Sequence, residues 1–230
     1  MKKRITAFGS SKGGVGKTTT AINFAYLRAK EIGSENVVLV DADSKTSTAT
    51  IWTGLRSNNL DLEPMLVIKK TGDKDFVQSI KMLSEKFNDV IIDIGGDNEA
   101  ELVASMVVAD KLFIPVRPSF VDTFNLYAID SKISQAQQSL NPRLKAYLLP
   151  SIVSPNRLMA NDDLEEIISL SNELENLSVT KNYVMDRKVY RRSPKFDGKT
   201  IFELSGEGKE KTDKAAEQEQ INLYKEIYHD

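Results

Sequence analysis

The stretch Lys12-Gly13-Gly14-Val15-Gly16-Lys17-Thr18-Thr19 lies between an apolar run, Ile5-Thr6-Ala7-Phe8, and a helically spaced set, Ala21, Ile22, Ala25, Tyr26 and Ala29. That order predicts a strand, a glycine-rich loop and a helix, a combination that cradles phosphate. Glycines let backbone N–H groups close on phosphate oxygens, and the helix behind them turns the positive end of its dipole toward the anion. Lys17 is placed to reach the β- and γ-phosphates of a nucleoside triphosphate, and the Thr18 hydroxyl to bind Mg2+.

The usual template, G-x-x-x-x-G-K-[ST], calls for glycine where Ser11 stands. With Lys12 ahead of paired glycines, the loop matches instead the deviant Walker A pattern K-G-G-x-G-K-[ST]. It thereby resembles the ParA/MinD superfamily of ATPases. The resemblance implies that residues Lys12, Gly13, Gly14, Val15, Gly16, Lys17, Thr18 and Thr19 hold ATP or ADP with Mg2+. It also implies that Lys12 reaches across a dimer interface to the partner subunit's nucleotide.

Outside the loop, Val37-Val38-Leu39-Val40 reads as a buried parallel strand ending at Asp41, after a helix stopped by Gly33. Val90-Ile91-Ile92 ends in the same way at Asp93 and runs into Gly95-Gly96. Helices are expected from about Asp75 to Phe87, Glu99 to Ala109, Asp122 to Leu140 and Asp162 to Asn172, the last capped by Asn161. Strands are expected at Leu112–Val116, Leu144–Leu149 and Thr200–Phe202. The alternation predicts an α/β fold: a mostly parallel sheet with helices on both faces, built as a single P-loop NTPase domain over residues 1–230.

In such sheets ligands bind at the carboxyl ends of the strands, so Asp41, Asp43 and Asp93 converge on the loop. By the resemblance, Asp93 takes the Walker B position and orders Mg2+ together with Thr18. Asp41 supports the metal, and Asp43 orients the attacking water, making Lys12, Lys17 and Asp43 the catalytic set. Two departures stand out: related proteins often read D-x-D-P-Q where this chain has Asp43-Ser44-Lys45, and often have proline where it has Gly95-Gly96.

The 230 residues are 40% apolar and 28% charged, which suits an ordinary globular chain. With no cysteine there are no disulfides and no thiolate metal centres. No apolar run approaches a bilayer span, and the basic start, Met1 to Arg4, is followed too soon by Gly9 and Ser10 for a signal peptide. Net charge is −2, yet Lys181 to Lys199 holds seven basic residues against two acidic ones. Arg187, Lys188, Arg191, Arg192 and Lys195 could form a strip for DNA phosphates, the first four from one short helix.

The segments Asp41–Trp52, Ala109–Val116 and Val189–Glu203 further resemble the short, ParF-like partition ATPases of plasmids. That likeness implies an ATP-dependent homodimer, nonspecific DNA binding, a centromere-binding ParB-like partner that stimulates weak hydrolysis, and a cytoplasmic, nucleoid-associated location. Relatives also position chromosomes, protein compartments or membrane-associated division systems. The acidic tail from Ser205 to Asp230 carries Ile221, Tyr224, Ile227 and Tyr228, a stripe expected to pack inward instead of meeting a membrane.

Overall fold

The computed structural model describes residues 3–72, 75–118, 123–192, 197–204 and 211–229. Its strands are β1 (Arg4–Phe8), β2 (Val37–Ala42), β3 (Val67–Lys69), β4 (Asp89–Ile94), β5 (Lys111–Val116), β6 (Lys145–Val153), β7 (Leu177–Val179) and β8 (Val184–Met185). Its helices are α1 (Lys17–Ile32), α2 (Thr48–Ser57), α3 (Phe76–Lys86), α4 (Glu99–Val108), α5 (Thr123–Ser139), α6 (Arg157–Ser171), α7 (Lys188–Arg192) and α8 (Lys211–His229). The sheet order is β3-β2-β4-β1-β5-β6-β7, with β8 beside β6. All of these pairings are parallel.

Alternation along the central strands sorts their side chains between two layers. Val38, Val40, Val90, Ile92 and Ile94 meet Phe76, Ile80, Leu102, Met106, Ile129 and Ile133 from α3, α4 and α5. Leu39 and Ile91 face the other way, onto α1, α2 and α8 through Phe24, Trp52 and Tyr224. Burial on both faces explains why these strands read as unbroken apolar runs.

The second layer is rich in aromatic side chains. Phe8 meets Phe24 edge-on at 5.3 Å and stacks on Phe113 at 5.5 Å, and Tyr224 lies 5.7 Å from Phe24. Each such pair adds about 0.5–1.5 kcal/mol beyond its burial. Tyr224, Ile227 and Tyr228 are buried in this layer, so the tail's apolar stripe seals α8 onto the sheet as expected. Among the described residues no helix is long and apolar enough to cross a membrane.

Three expectations are corrected. The helix expected at Asp162 starts at Arg157, because Asn156 is the cap: its side chain accepts the Leu158 N–H at 3.0 Å, leaving Asn161 inside the helix. Thr200–Phe202 forms a turn, since the Thr200 N–H and hydroxyl both donate to Glu203. The strand expected to stop at Leu149 continues to Val153. Its end is irregular, with a register shift against β8 and Ile152 at a φ of 59°, rare for a β-branched residue.

Candidate nucleotide-binding site

β1 ends under the loop, and Gly14 and Gly16 take φ values of 73° and 90°, which other residues adopt only with strain. A cleft of about 640 Å³ opens here, lined by Gly13 to Thr20 without Val15, and by Asp43, Lys45, Gly96, Asp97 and Asn98. Lys17 is buried, and its ammonium donates to the Lys12 carbonyl at 2.5 Å and the Ser10 hydroxyl at 3.2 Å. Burial lowers its pKa, while the fields of Asp93, Asp43 and Asp97 oppose that shift. A lysine held this way under a loop of N–H groups is suited to receive phosphate.

Asp41 and Asp93 stand opposite each other on β2 and β4 and share the face toward α1 and α2. Their surroundings differ. Asp41 is fully buried with its oxygens engaged: it accepts the Asp43 N–H at 3.1 Å, the Thr50 N–H at 2.8 Å and the Thr50 hydroxyl at 2.6 Å. Its carboxylate thus fixes the following loop and the start of α2, and it does not line the cleft. Asp41 thus acts on the site through the loop that carries Asp43 and not from the cleft wall.

Asp93 is equally buried, and neither oxygen has a well-formed hydrogen bond. Burial pushes its pKa up to about 7, with the neighbouring Thr18 hydroxyl opposing and Asp41 reinforcing the rise. An orphaned carboxylate beside a hydroxyl fits a divalent cation, because an unpaired buried charge is costly without a partner. Mg2+ typically takes one or two protein oxygens and completes its shell with phosphates and water. Among the described residues no three acidic, histidine or cysteine side chains are arranged to hold a metal ion by themselves.

Asp93 also sets a pH dependence. The folded protein holds a proton on Asp93 between the ordinary value of 3.8 and about 7, where the unfolded chain does not. Stability from this group therefore falls as pH rises through that window. Asp93→Asn is expected to melt above the wild type at pH 8 and alongside it at pH 4, in the absence of Mg2+. Coincident melting curves at both pH values would overturn this account of Asp93.

Asp43 lies at the cleft wall, its carboxylate accepting the Lys45 and Thr46 N–H groups at 2.8 and 3.0 Å and the Thr46 hydroxyl at 2.5 Å. Burial alone would raise its pKa, but these donors and Lys17 hold it below the usual carboxylate range. It stays ionised at neutral pH. Gly95 and Gly96 explain one of the sequence departures: a Cβ on Gly95 would come 2.7 Å from the Asp43 carboxyl carbon, and one on Gly96 would come 2.8 Å from the Gly13 nitrogen. The loop after β4 presses directly on the phosphate loop, and glycine permits the approach.

The proposed DNA strip divides. Arg187 pairs with Glu219 on α8, Arg192 with Asp213 at 2.9 Å, and Arg191 with Asp186 at 2.6 Å. Arg187 and Arg191 also line the cleft, while Lys188 is exposed. The four residues therefore do not form one free basic face: Glu219 and Asp213 on α8 engage Arg187 and Arg192, and Asp186 engages Arg191 from five residues away. Lys195 lies outside the described residues.

Sequence reading missed the far wall of the cleft: Ser151, Ile152, Val184, Met185 and Tyr190. Ser151 and Ile152 were findable in principle, since they lie at the carboxyl end of β6. The obstacle was where that strand ends.

The CobQ/CobB/MinD/ParA nucleotide binding domain model matches residues 6–197. The chain belongs to that family. A ParA family protein of Mycoplasma pneumoniae is 22% identical over 223 residues, spanning 78% of this chain and 82% of the relative. Among solved structures, an ATP complex of a Cyanothece McdA variant superposes with a TM-score of 0.68 at 17% identity, covering 98% of this chain and 96% of that one. A Borrelia burgdorferi plasmid partition protein bound to AMPPNP gives a TM-score of 0.62 at 18% identity, covering 97% and 98%. At such identities the structures establish the shared fold of this family.

Proposed function

We propose that this protein is a ParA-type ATPase that closes into a homodimer over ATP, binds DNA nonspecifically in that state and segregates plasmid DNA with a centromere-binding partner. The observation that carries the reading is the orphaned Asp93 carboxylate at the strand ends, facing a buried lysine and a glycine loop. Phosphoryl transfer needs placement and charge neutralisation more than covalent chemistry from the protein. Lys17 and the loop N–H groups bind the phosphates, Thr18 and Asp93 hold the Mg2+ that neutralises them, and Asp43 orients water. The apolar wall of Val184, Met185 and Tyr190 suits a nucleobase.

Dimerisation through Lys12 is supported by the form of the loop. Gly13 and Gly14 are exposed, and a Cβ on either would meet nothing within 4 Å, so a second copy's loop has room to approach. With a non-hydrolysable ATP analogue, light scattering is expected to show twice the chain mass, and Lys12→Ala a single chain that still binds the analogue. Single chains for the wild type under saturating analogue would overturn the proposal. For DNA, Lys188→Ala is a better probe than the arginines, whose loss would disturb α8 and the cleft. A second reading keeps the same engine and changes the cargo to a protein compartment; it is supported by a Gloeobacter kilaueensis relative named maintenance of carboxysome distribution protein A, 33% identical over 122 residues, 52% of this chain and 51% of the relative.

A further inference from the structure

The loop after β2 and the loop after β4 meet at the cleft mouth through three side-chain contacts of different character. Asn98, itself buried, donates to the Ala42 carbonyl at 2.7 Å and accepts the Ser44 hydroxyl at 2.9 Å. These bonds hold the two loops in register. The third contact is an ion pair, Lys45 Nζ to Asp97 Oδ2 at 2.6 Å, with both side chains about two-thirds exposed. A pair so exposed is screened by water and adds little to the fold, so stability does not account for it.

Its position does. Both members line the cleft together with Gly13, Gly14, Lys17 and Thr18. The root of Lys45 is fixed where its N–H donates to Asp43 at 2.8 Å, while its stem is flexible and ends in three donors. Asp97 lies within the field of Lys17, the lysine already assigned to phosphate. A triphosphate entering beside Lys17 would repel the Asp97 carboxylate and offer Lys45 a more highly charged partner. The Asn98 bonds would keep the loops together during that exchange.

We propose that Lys45 is a further phosphate-binding cation of this cleft, exchanging its partner Asp97 for the terminal phosphate of a nucleoside triphosphate. The inference rests on the nucleotide reading of the site and adds to it a residue that discriminates triphosphate from diphosphate. Asp97 acts as the competitor that this discrimination works against. No bond is made or broken; a charge-assisted hydrogen bond changes acceptor.

The test is equilibrium titration of the full chain with Mg2+ and a fluorescent, non-hydrolysable ATP analogue or the matching ADP. Lys45→Gln is expected to weaken the triphosphate about tenfold and the diphosphate less than about twofold. Asp97→Asn is expected to tighten the triphosphate, about threefold, by removing the competing charge. Equal effects of Lys45→Gln on the two nucleotides, or weaker triphosphate binding by Asp97→Asn, would overturn the proposal and leave the pair as a strap between loops. Lys17→Ala separates the two failures. If it loses both nucleotides while Lys45→Gln changes neither, only the role of Lys45 falls; if it binds both normally, the nucleotide site itself is wrong.

Discussion

Alanine at Gly96 is expected to lower ATP turnover by about 100-fold while shifting the melting temperature by no more than a few degrees. The added Cβ would lie 2.8 Å from the Gly13 nitrogen and 3.1 Å from both the Gly13 Cα and the Lys12 carbonyl carbon. All three are backbone atoms, so no rotamer change relieves the clash; the phosphate loop or the loop after β4 must move. Displacement of phosphate-binding groups by even an ångström can cost about two orders of magnitude in rate. Gly54 supplies the control, because it lies inside α2 with nothing within 4 Å of its Cβ position. Gly54→Ala should leave turnover intact and raise stability by up to about 1 kcal/mol. Wild-type turnover in Gly96→Ala would show that the two loops do not press on each other as described.

The second large effect is structural. Arg56, 2% exposed, forks onto both Glu203 oxygens at 2.8 Å and donates to the Glu63 and Gly198 carbonyls at 2.7 and 3.0 Å. It also lies 5.2 Å from the Trp52 ring, and Gly198, at a φ of 72°, closes so tightly that a Cβ there would come 2.2 Å from the Arg56 nitrogen. Removing one partner of a buried ion pair strands the other, at a cost of about 3–5 kcal/mol. Arg56→Ala should therefore melt roughly 10 °C lower by calorimetry, at about 2–4 °C per kcal/mol for a chain of this size. Arg56→Lys should recover only part of the loss, because an ammonium cannot fork onto two oxygens. A shift under about 2 °C for Arg56→Ala would show the pair to be energetically idle.

Arg56 also illustrates what the sequence could not reveal. Its partner lies 147 residues away, and no local pattern marks the pairing. By contrast, the phosphate loop, the strands ending at Asp41 and Asp93 and the two-faced sheet were legible, because each rests on spacing within a short window. The short strands β3, β7 and β8 were not, since two or three residues carry too little periodicity. Asp41 and Asp93 look alike in sequence, each closing an apolar strand. Only the structure separates them, giving Asp41 Thr50 as a partner and leaving Asp93 unsatisfied. The pairing of the basic run was hidden for the same reason as that of Arg56: two of its acids, Asp213 and Glu219, sit on a distant helix.

The seating of α8 has a consequence for biogenesis. β1 is an inner strand and α1 carries the phosphate loop, yet part of the aromatic cover of both comes from Tyr224 and Tyr228, and the Arg4 guanidinium donates to the Tyr228 carbonyl at 2.8 Å. A ribosome must therefore release nearly all of these residues before the cover over the first strand and helix is complete. Until then the nascent polypeptide displays a sticky aromatic surface, and it is during synthesis that such a chain would most depend on chaperones.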